Sequence, residues 1–235
     1  VGALRLLEGD TIEVAQIVRY PLGVPVVGRY KLNAIANFIE YHYPYTRIER
    51  FLHRLGQTAL DRRTRGENEF DLVDRLLSGA SLVIDASAEI RVQQLLSDFA
   101  RERTLTQLYL SATEGARGGQ VILIVPGAGG CWHCWKAHAF EGTTPLPPAE
   151  PGGTVQPRGC ASPTFTGTSF DLSPIVAQAA RAAAAALRPL AELSSTAWVC
   201  SLADDGTGPP TWTSHSIAVH PGCPFCSYSD TDLRA

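Results

Sequence analysis

The stretches "GCWHCWKAHAF" and "HPGCPFCSYSD" hold four of the chain's 6 cysteines as two Cys-x-x-Cys pairs, Cys131 with Cys134 and Cys223 with Cys226. One such turn presents two thiolates to an ion at about 2.3 Å, and two turns complete a tetrahedral four-sulfur shell. Soft thiolates in that number select zinc over magnesium or calcium. A full shell leaves no position for a substrate, so the spacing predicts a structural zinc that ties the second turn back onto the first. The competing reading is two redox or buried pairs unrelated to each other; a single pair would leave it open, and two pairs disfavour it. His133, His138 and His220 stand close by and read as bystanders, because sulfur already fills the shell. Cys200, inside the apolar run "AWVCSL", reads as inert core.

The elements that must position these residues alternate in type. "ALRLLEGD" reads as a short buried strand ending in a turn, and "KLNAIANFIEYHYP" as a helix that stops at Pro44. "TRIERFLHRL" fits a strand or a short helix equally well. "ENEFDLVDRLLSGA" and "AEIRVQQLLSDFARER" have helical spacing, and between them "SLVIDAS" reads as a strand buried on both faces. "TLTQLYLSAT" and "GGQVILIVPG" add two strands. Residues 141–159 are rich in Pro and Gly and predict a long crossing loop. "SPIVAQAARAAAAALRPLAEL" is a strong helix, with Arg181 and Arg188 on its surface, and short strands and turns follow. The expectation is an α/β fold: a Rossmann-like, largely parallel sheet with flanking helices, a four-cysteine zinc site and a long crossing loop.

Composition narrows the function classes. A chain of 235 residues with 45% hydrophobic content can bury a sizeable core. Its formal charge of −3 argues against a dedicated nucleic-acid binder. No apolar run is long enough to span a membrane, and "VGALRLLEGD" lacks a secretory pattern, which predicts a cytoplasmic protein. Methionine is missing even at position 1, which predicts a fragment or a processed product.

Four segments in order resemble the ThiF/MoeB/E1 superfamily of ubiquitin-like protein activating enzymes. "LRLLEGDTIEVAQIVRYPL" resembles the family's strand, acidic turn and Asn-x-x-Arg segment; "VGRYKLNAIA" resembles its Gly-x-x-Lys helix start. "ASLVIDASAE" resembles the strand ending in Asp-Ala-Thr-Asp, and "EGARGGQVILIVPGAGGCWHC" the strand leading into the first zinc knuckle. The two knuckles complete the match. The resemblance implies that Glu8, where the family usually has Asp, holds the ribose hydroxyls of ATP. It implies that Arg19 and Lys31 contact the phosphates, Arg19 as a catalytic residue, since cations suit the charge that grows on a leaving pyrophosphate. Asp10 and Asp85 are carried as nucleotide- or magnesium-binding residues, with turn formation as the alternative for each.

Two departures bear on activity. Gln16 stands where the family has Asn, and Ala88 where it has the last Asp of its Asp-Ala-Thr-Asp segment. The family's first strand and Gly-x-Gly-x-x-Gly turn are expected upstream of Val1, so weak ATP binding is expected of this chain alone. The resemblance also makes Cys160, two residues after Arg158, the candidate acceptor of the activated carrier as a thioester.

The implied function is adenylation of the C-terminus of a ubiquitin-like or sulfur-carrier protein with ATP and magnesium, in a homodimer that binds neither nucleic acid nor membrane. The alternatives are a catalytically degenerate E1-like scaffold or partner subunit and, more remotely, a nicotinamide-dependent dehydrogenase with a structural zinc. Residues 1–130 are assigned to the adenylation domain, lacking its first strand and glycine loop. Residues 131–235 carry the knuckles, the cysteine loop and the C-terminal helix and strands as part of the same domain.

Overall fold

The computed structural model describes residues 2–56, 68–155, 164–188, 192–202 and 208–227. The chain divides into two compact units, Val1–Ser78 and Gly79–Ala235.

The first unit is a strand–helix–strand arrangement. β1 (Ala3–Leu7) pairs in parallel with β2 (Arg47–Phe51), with Ala3 opposite Arg47 and Leu7 opposite Phe51. Parallel neighbours need a crossover, and α1 (Lys31–His42) supplies it. α1 buries Leu32, Ala34 and Ala36 and ends before Pro44, where the sequence stops it. "TRIERFLHRL" is therefore a strand at its start. β1, expected as a buried strand, is at most half-buried, because a two-stranded sheet cannot enclose a strand. α2 (Glu69–Leu77) starts at Asn68, whose Oδ1 accepts the Phe70 N–H at 3.0 Å.

The second unit is built on a five-stranded sheet in the order β3-β4-β5-β8-β9. Its strands are β3 (Leu82–Asp85), β4 (Thr106–Ala112), β5 (Gly118–Ile124), β8 (Thr196–Ser201) and β9 (Thr211–Ser216). β3 and β4 are parallel, joined by α3 (Ile90–Glu102), and the remaining pairs are antiparallel. The direction changes at β4–β5 because the connection is only a tight turn, Thr113–Arg117, too short for a crossover. The short strand β6 (Thr154–Val155) interrupts the predicted loop 141–159 and pairs with β7 (Thr164–Phe165) beyond it. β3 is not buried on both faces: Val83 and Asp85 are buried on one, but Ile84 on the other is 54% exposed.

Side-chain alternation gives the sheet two working faces. Leu108, Val121, Leu123 and Cys200 point to α5 (Ser169–Ala186), packing on Ile175, Ala179 and Ala182. Cys200 is fully buried there. Tyr109, Ile122, Ile124 and Ala197 point the other way, onto Trp132, Trp135 and Cys134 of α4 (Trp132–Phe140). α5 begins four residues before "SPIV" because Thr168 and Asp171 cap it: the Thr168 N–H and Oγ1 donate to Asp171 Oδ2 at 2.7 and 2.8 Å. Among the described residues no helix is long and apolar enough to cross a membrane.

Candidate functional site

The sulfur cluster forms where α4 begins. Gly130 bends the chain into α4, its N–H donating to Ile217 O at 2.7 Å. A Cβ at Gly130 would collide with Ala218 O and come within 2.8 Å of the Cys134 Cβ, so the turn requires glycine. Cys131 and Cys134 thereby meet Cys223 and Cys226, and the four sulfurs all lie within 4.8 Å of one another. The Cys131 sulfur is 3.8 Å from that of Cys134 and 3.6 Å from that of Cys223. A tetrahedron with metal–sulfur bonds of 2.3 Å has edges of about 3.8 Å, so the separations fit one ion.

The electrostatics agree with the geometry. Burial pushes the Cys131 thiol far up and the Cys134 thiol up to about 11. Burial acts on Cys223 as well, but the backbone N–H groups of Phe225 and Cys226 and the thiols of Cys134 and Cys131 outweigh it and lower its pKa. Four sulfurs packed on Trp132 and Trp135 cannot all ionise without a cation to compensate. His133, His138 and His220 stay outside this four-sulfur set. The His133 Nε2 is 2.9 Å from Asp98 Oδ1.

A second site lies in the first unit, at the end of β1. A cleft of about 260 Å³ is lined by Glu8, Gln16, Arg19, Tyr20, Lys31 and Ile35. Glu8 follows β1 directly, and its Oε1 accepts the Asp10 N–H at 2.8 Å. Asp10 does not line the cleft itself. Its Oδ2 lies 2.9 Å from Lys31 Nζ, its carbonyl accepts the Lys31 N–H at 2.8 Å, and Arg54 pairs with its Oδ1. Asp10 thus fixes Lys31 at the first position of α1. Arg19 ends the 3-10 turn Val14–Arg19, where burial lowers its pKa. The Gln16 Oε1 accepts the Glu13 N–H at 3.4 Å and stabilises that same turn.

Tyr20 is the cleft residue that sequence reasoning missed, since a lone tyrosine carries no spacing signal. Its hydroxyl is buried and has no hydrogen-bond partner; burial, then the Glu8 carboxylate, raise its pKa. A buried orphan hydroxyl beside one carboxylate and two cations fits a ligand with both hydroxyls and phosphates.

Asp85 belongs to the second unit, at the end of β3. It is 3% exposed; its Oδ1 accepts the Ser87 N–H and Oγ–H at 2.7 Å each, while its Oδ2 is buried without a partner. Burial raises its pKa, and the Ser87 bonds oppose the rise. Ala88 sits at φ 57°, a left-handed conformation that Asn and Asp adopt more readily than Ala. Glu89 is the N-cap of α3, its side chain accepting the Arg91 N–H at 3.4 Å. Cys160 and Arg158 lie outside the described residues.

A parallel strand–helix–strand unit with a mixed-charge cleft at the strand end, and a mixed sheet carrying a four-cysteine knuckle, define an α/β protein with a candidate ligand cleft in one unit and a candidate metal shell in the other. The chain belongs to the ThiF family, whose profile matches residues 1–195. Two relatives from Sinorhizobium fredii, the uncharacterized proteins y4oA and y4qC, are 33% identical over 230 residues and 34% identical over 231 residues. The alignments cover 95% and 94% of this chain but 39% of each relative, so the chain spans well under half of their length.

Among solved structures, E. coli MccB aligns with TM-score 0.64 at 14% identity, over 97% of this chain and 59% of MccB. PaaA aligns with TM-score 0.58 at 16% identity, over 92% of this chain and 65% of PaaA. Identities this low show a shared fold. Structures of MccB, a microcin C7 biosynthetic enzyme, include complexes with ATP and with N-formylated MccA.

Proposed function

We propose that the chain is the nucleotide-binding and zinc-bearing part of an E1-like adenylating enzyme that activates the C-terminus of a ubiquitin-like or sulfur-carrier protein. The carrying observation is the cleft lined by Glu8, Arg19, Lys31 and Tyr20, the last with a buried, unpartnered hydroxyl. Membership of the ThiF family and the ATP complex of the similarly folded MccB support the same reading.

In this reading the Glu8 carboxylate accepts hydrogen bonds from the ribose hydroxyls, and Arg19 and Lys31 receive phosphate oxygens. A carboxylate oxygen of the carrier attacks the α-phosphorus of ATP; the bond to the pyrophosphate oxygen breaks, and the electron pair leaves with pyrophosphate. The two cations match the charge that accumulates on the leaving group. Asp10 orients Lys31. In the second unit, taken by itself, Asp85 carries an unpartnered oxygen suited to magnesium or a nucleotide. Cys131, Cys134, Cys223 and Cys226 would hold zinc in a closed shell, which supplies cross-linking and no reactive position. The Cys160 thiolate then attacks the acyl carbon of the adenylate, the bond to the phosphate oxygen breaks, and AMP leaves as the thioester forms. Residues 1–130 act as the adenylating part and 131–235 as its zinc-bearing continuation. The exposed Phe38, Tyr41, Tyr43 and Tyr45 support a homodimer, tested by light scattering.

The test is ATP–pyrophosphate exchange by the natural full-length protein with candidate carriers. Exchange that disappears in Lys31→Ala supports adenylation, and a reductant-sensitive carrier adduct that disappears in Cys160→Ser supports transfer. A degenerate scaffold is the second reading, favoured by Gln16, whose side chain is turned to the Glu13 N–H, and by Ala88, which has no carboxylate. Carrier binding without any exchange would establish it.

A further inference from the structure

The helix that opens with two cysteines closes with a second set of metal-ligand types. Cys134, His138 and Glu141 follow one another at i, i+4 and i+7, which places them on one face of α4 and its C-cap. That face meets the segment 217–227, which carries His220 as well as Cys223 and Cys226. His138, Glu141 and His220 each bring one donor atom to within 4.8 Å of the others, the same span as the sulfur set. We propose that these three residues form a second, solvent-open site for a divalent transition metal ion, clamping the same two segments as the sulfur cluster.

The local bonds hold the donors in place. The His138 Nε2–H donates to Ala218 O at 3.2 Å, which leaves Nδ1 as its lone-pair nitrogen, 3.1 Å from Thr143 Oγ1. The His220 Nε2 lies 3.0 Å from Glu141 Oε1, and its ring meets that of His138 edge-on with centroids 4.9 Å apart. The His220 carbonyl accepts the Cys223 N–H at 3.0 Å and the Ser227 hydroxyl at 2.6 Å, so its backbone is anchored in the sulfur turn. The Glu141 side chain is 51% exposed, which gives an ion a path in.

Two imidazoles and one carboxylate select zinc, cobalt, nickel or copper over calcium, and three protein ligands leave a position for water. Without an ion, the Gly222 N–H donates to His220 Nδ1 at 3.0 Å and the ring proton sits on Nε2. Binding through Nε2 moves that proton to Nδ1 and gives up the Gly222 bond. The loss of one hydrogen bond makes the site about tenfold weaker than it would otherwise be. The second site is thus the first to empty under a chelator.

The experiment is metal titration of the natural full-length protein, wild type against Glu141→Gln and His138→Ala, with zinc content measured after dialysis. Wild type is expected to hold one zinc more than either variant, and Glu141→Gln to weaken the extra ion at least about tenfold. Cobalt substitution separates the sites: sulfur ligation gives intense thiolate-to-metal charge transfer, while the second site adds only weak visible bands. Unchanged charge transfer in a variant shows that the sulfur turn still folds; if His138→Ala loses it, Glu141→Gln decides. The proposal is overturned if wild type binds no ion beyond the sulfur set, or if Glu141→Gln retains it at full affinity.

Discussion

The Cys131 sulfur lies 3.6 Å from the Cys223 sulfur across 92 positions of sequence. Cys223→Ser should lose the zinc of the sulfur shell and lower the melting temperature by roughly 10 °C, the shift that ~3 kcal/mol makes in a chain of this size. Elemental analysis and thermal denaturation check it; full zinc occupancy in the variant would refute the shared shell.

Glu8 and Lys31 line the same cleft, and the proposed reading gives them different parts of a nucleotide. Glu8→Gln should weaken ATP binding to the full-length protein about tenfold while leaving tripolyphosphate binding unchanged. Lys31→Ala should weaken both by at least that factor, since a lost charge-assisted bond is worth roughly 1.5–3 kcal/mol. Calorimetry with the two ligands tells the roles apart, and equal losses for both ligands in Glu8→Gln would remove the ribose assignment.

Asp85 should make stability depend on pH. Its folded pKa is raised by burial above the ordinary 3.8, so its neutral form is favoured in the fold. That contribution is complete below the unfolded value and fades as pH rises through the folded value, beyond which a charge is held buried. Asp85→Asn should therefore melt higher than wild type at pH 7 without magnesium, and the difference should shrink as the pH approaches 4. A constant difference across that range contradicts the assignment.

Ala88 holds a left-handed backbone that an alanine adopts at a cost of about 1–2 kcal/mol. Ala88→Asn should recover roughly 1 kcal/mol in chemical denaturation, because its short polar side chain tolerates that conformation. Ala88→Val should lose stability instead. An unfolding midpoint that moves the other way in both variants would mean that the turn is not strained.

The parts of this protein that sequence made legible are those written in spacing. Two Cys-x-x-Cys pairs announce a shared shell, and "KLNAIANFIEYHYP" shows both its helix period and its stop. "RIERF" shows neither period clearly, since only Phe51 is buried in β2 and pairing with β1 is what makes it a strand. Ile84 misleads in the opposite direction: an apolar run reads as enclosed, yet its exposure depends on which neighbours the sheet supplies. Tyr20 gives no signal, because a lone tyrosine has no spacing to read and only the fold buries its hydroxyl. His138 and His220 were spaced too widely to announce each other; their meeting is made by the same contact that joins the cysteines.

Because the sulfur cluster needs Cys226 as well as Cys131, a ribosome must release nearly a hundred further residues after the first turn before the shell can close. During that interval the nascent polypeptide carries two unprotected thiols beside exposed indoles, a state open to oxidation or to capture by a chaperone. With zinc as the proposed occupant of the shell, the metal supply of the cell would then govern how much of each newly made chain matures.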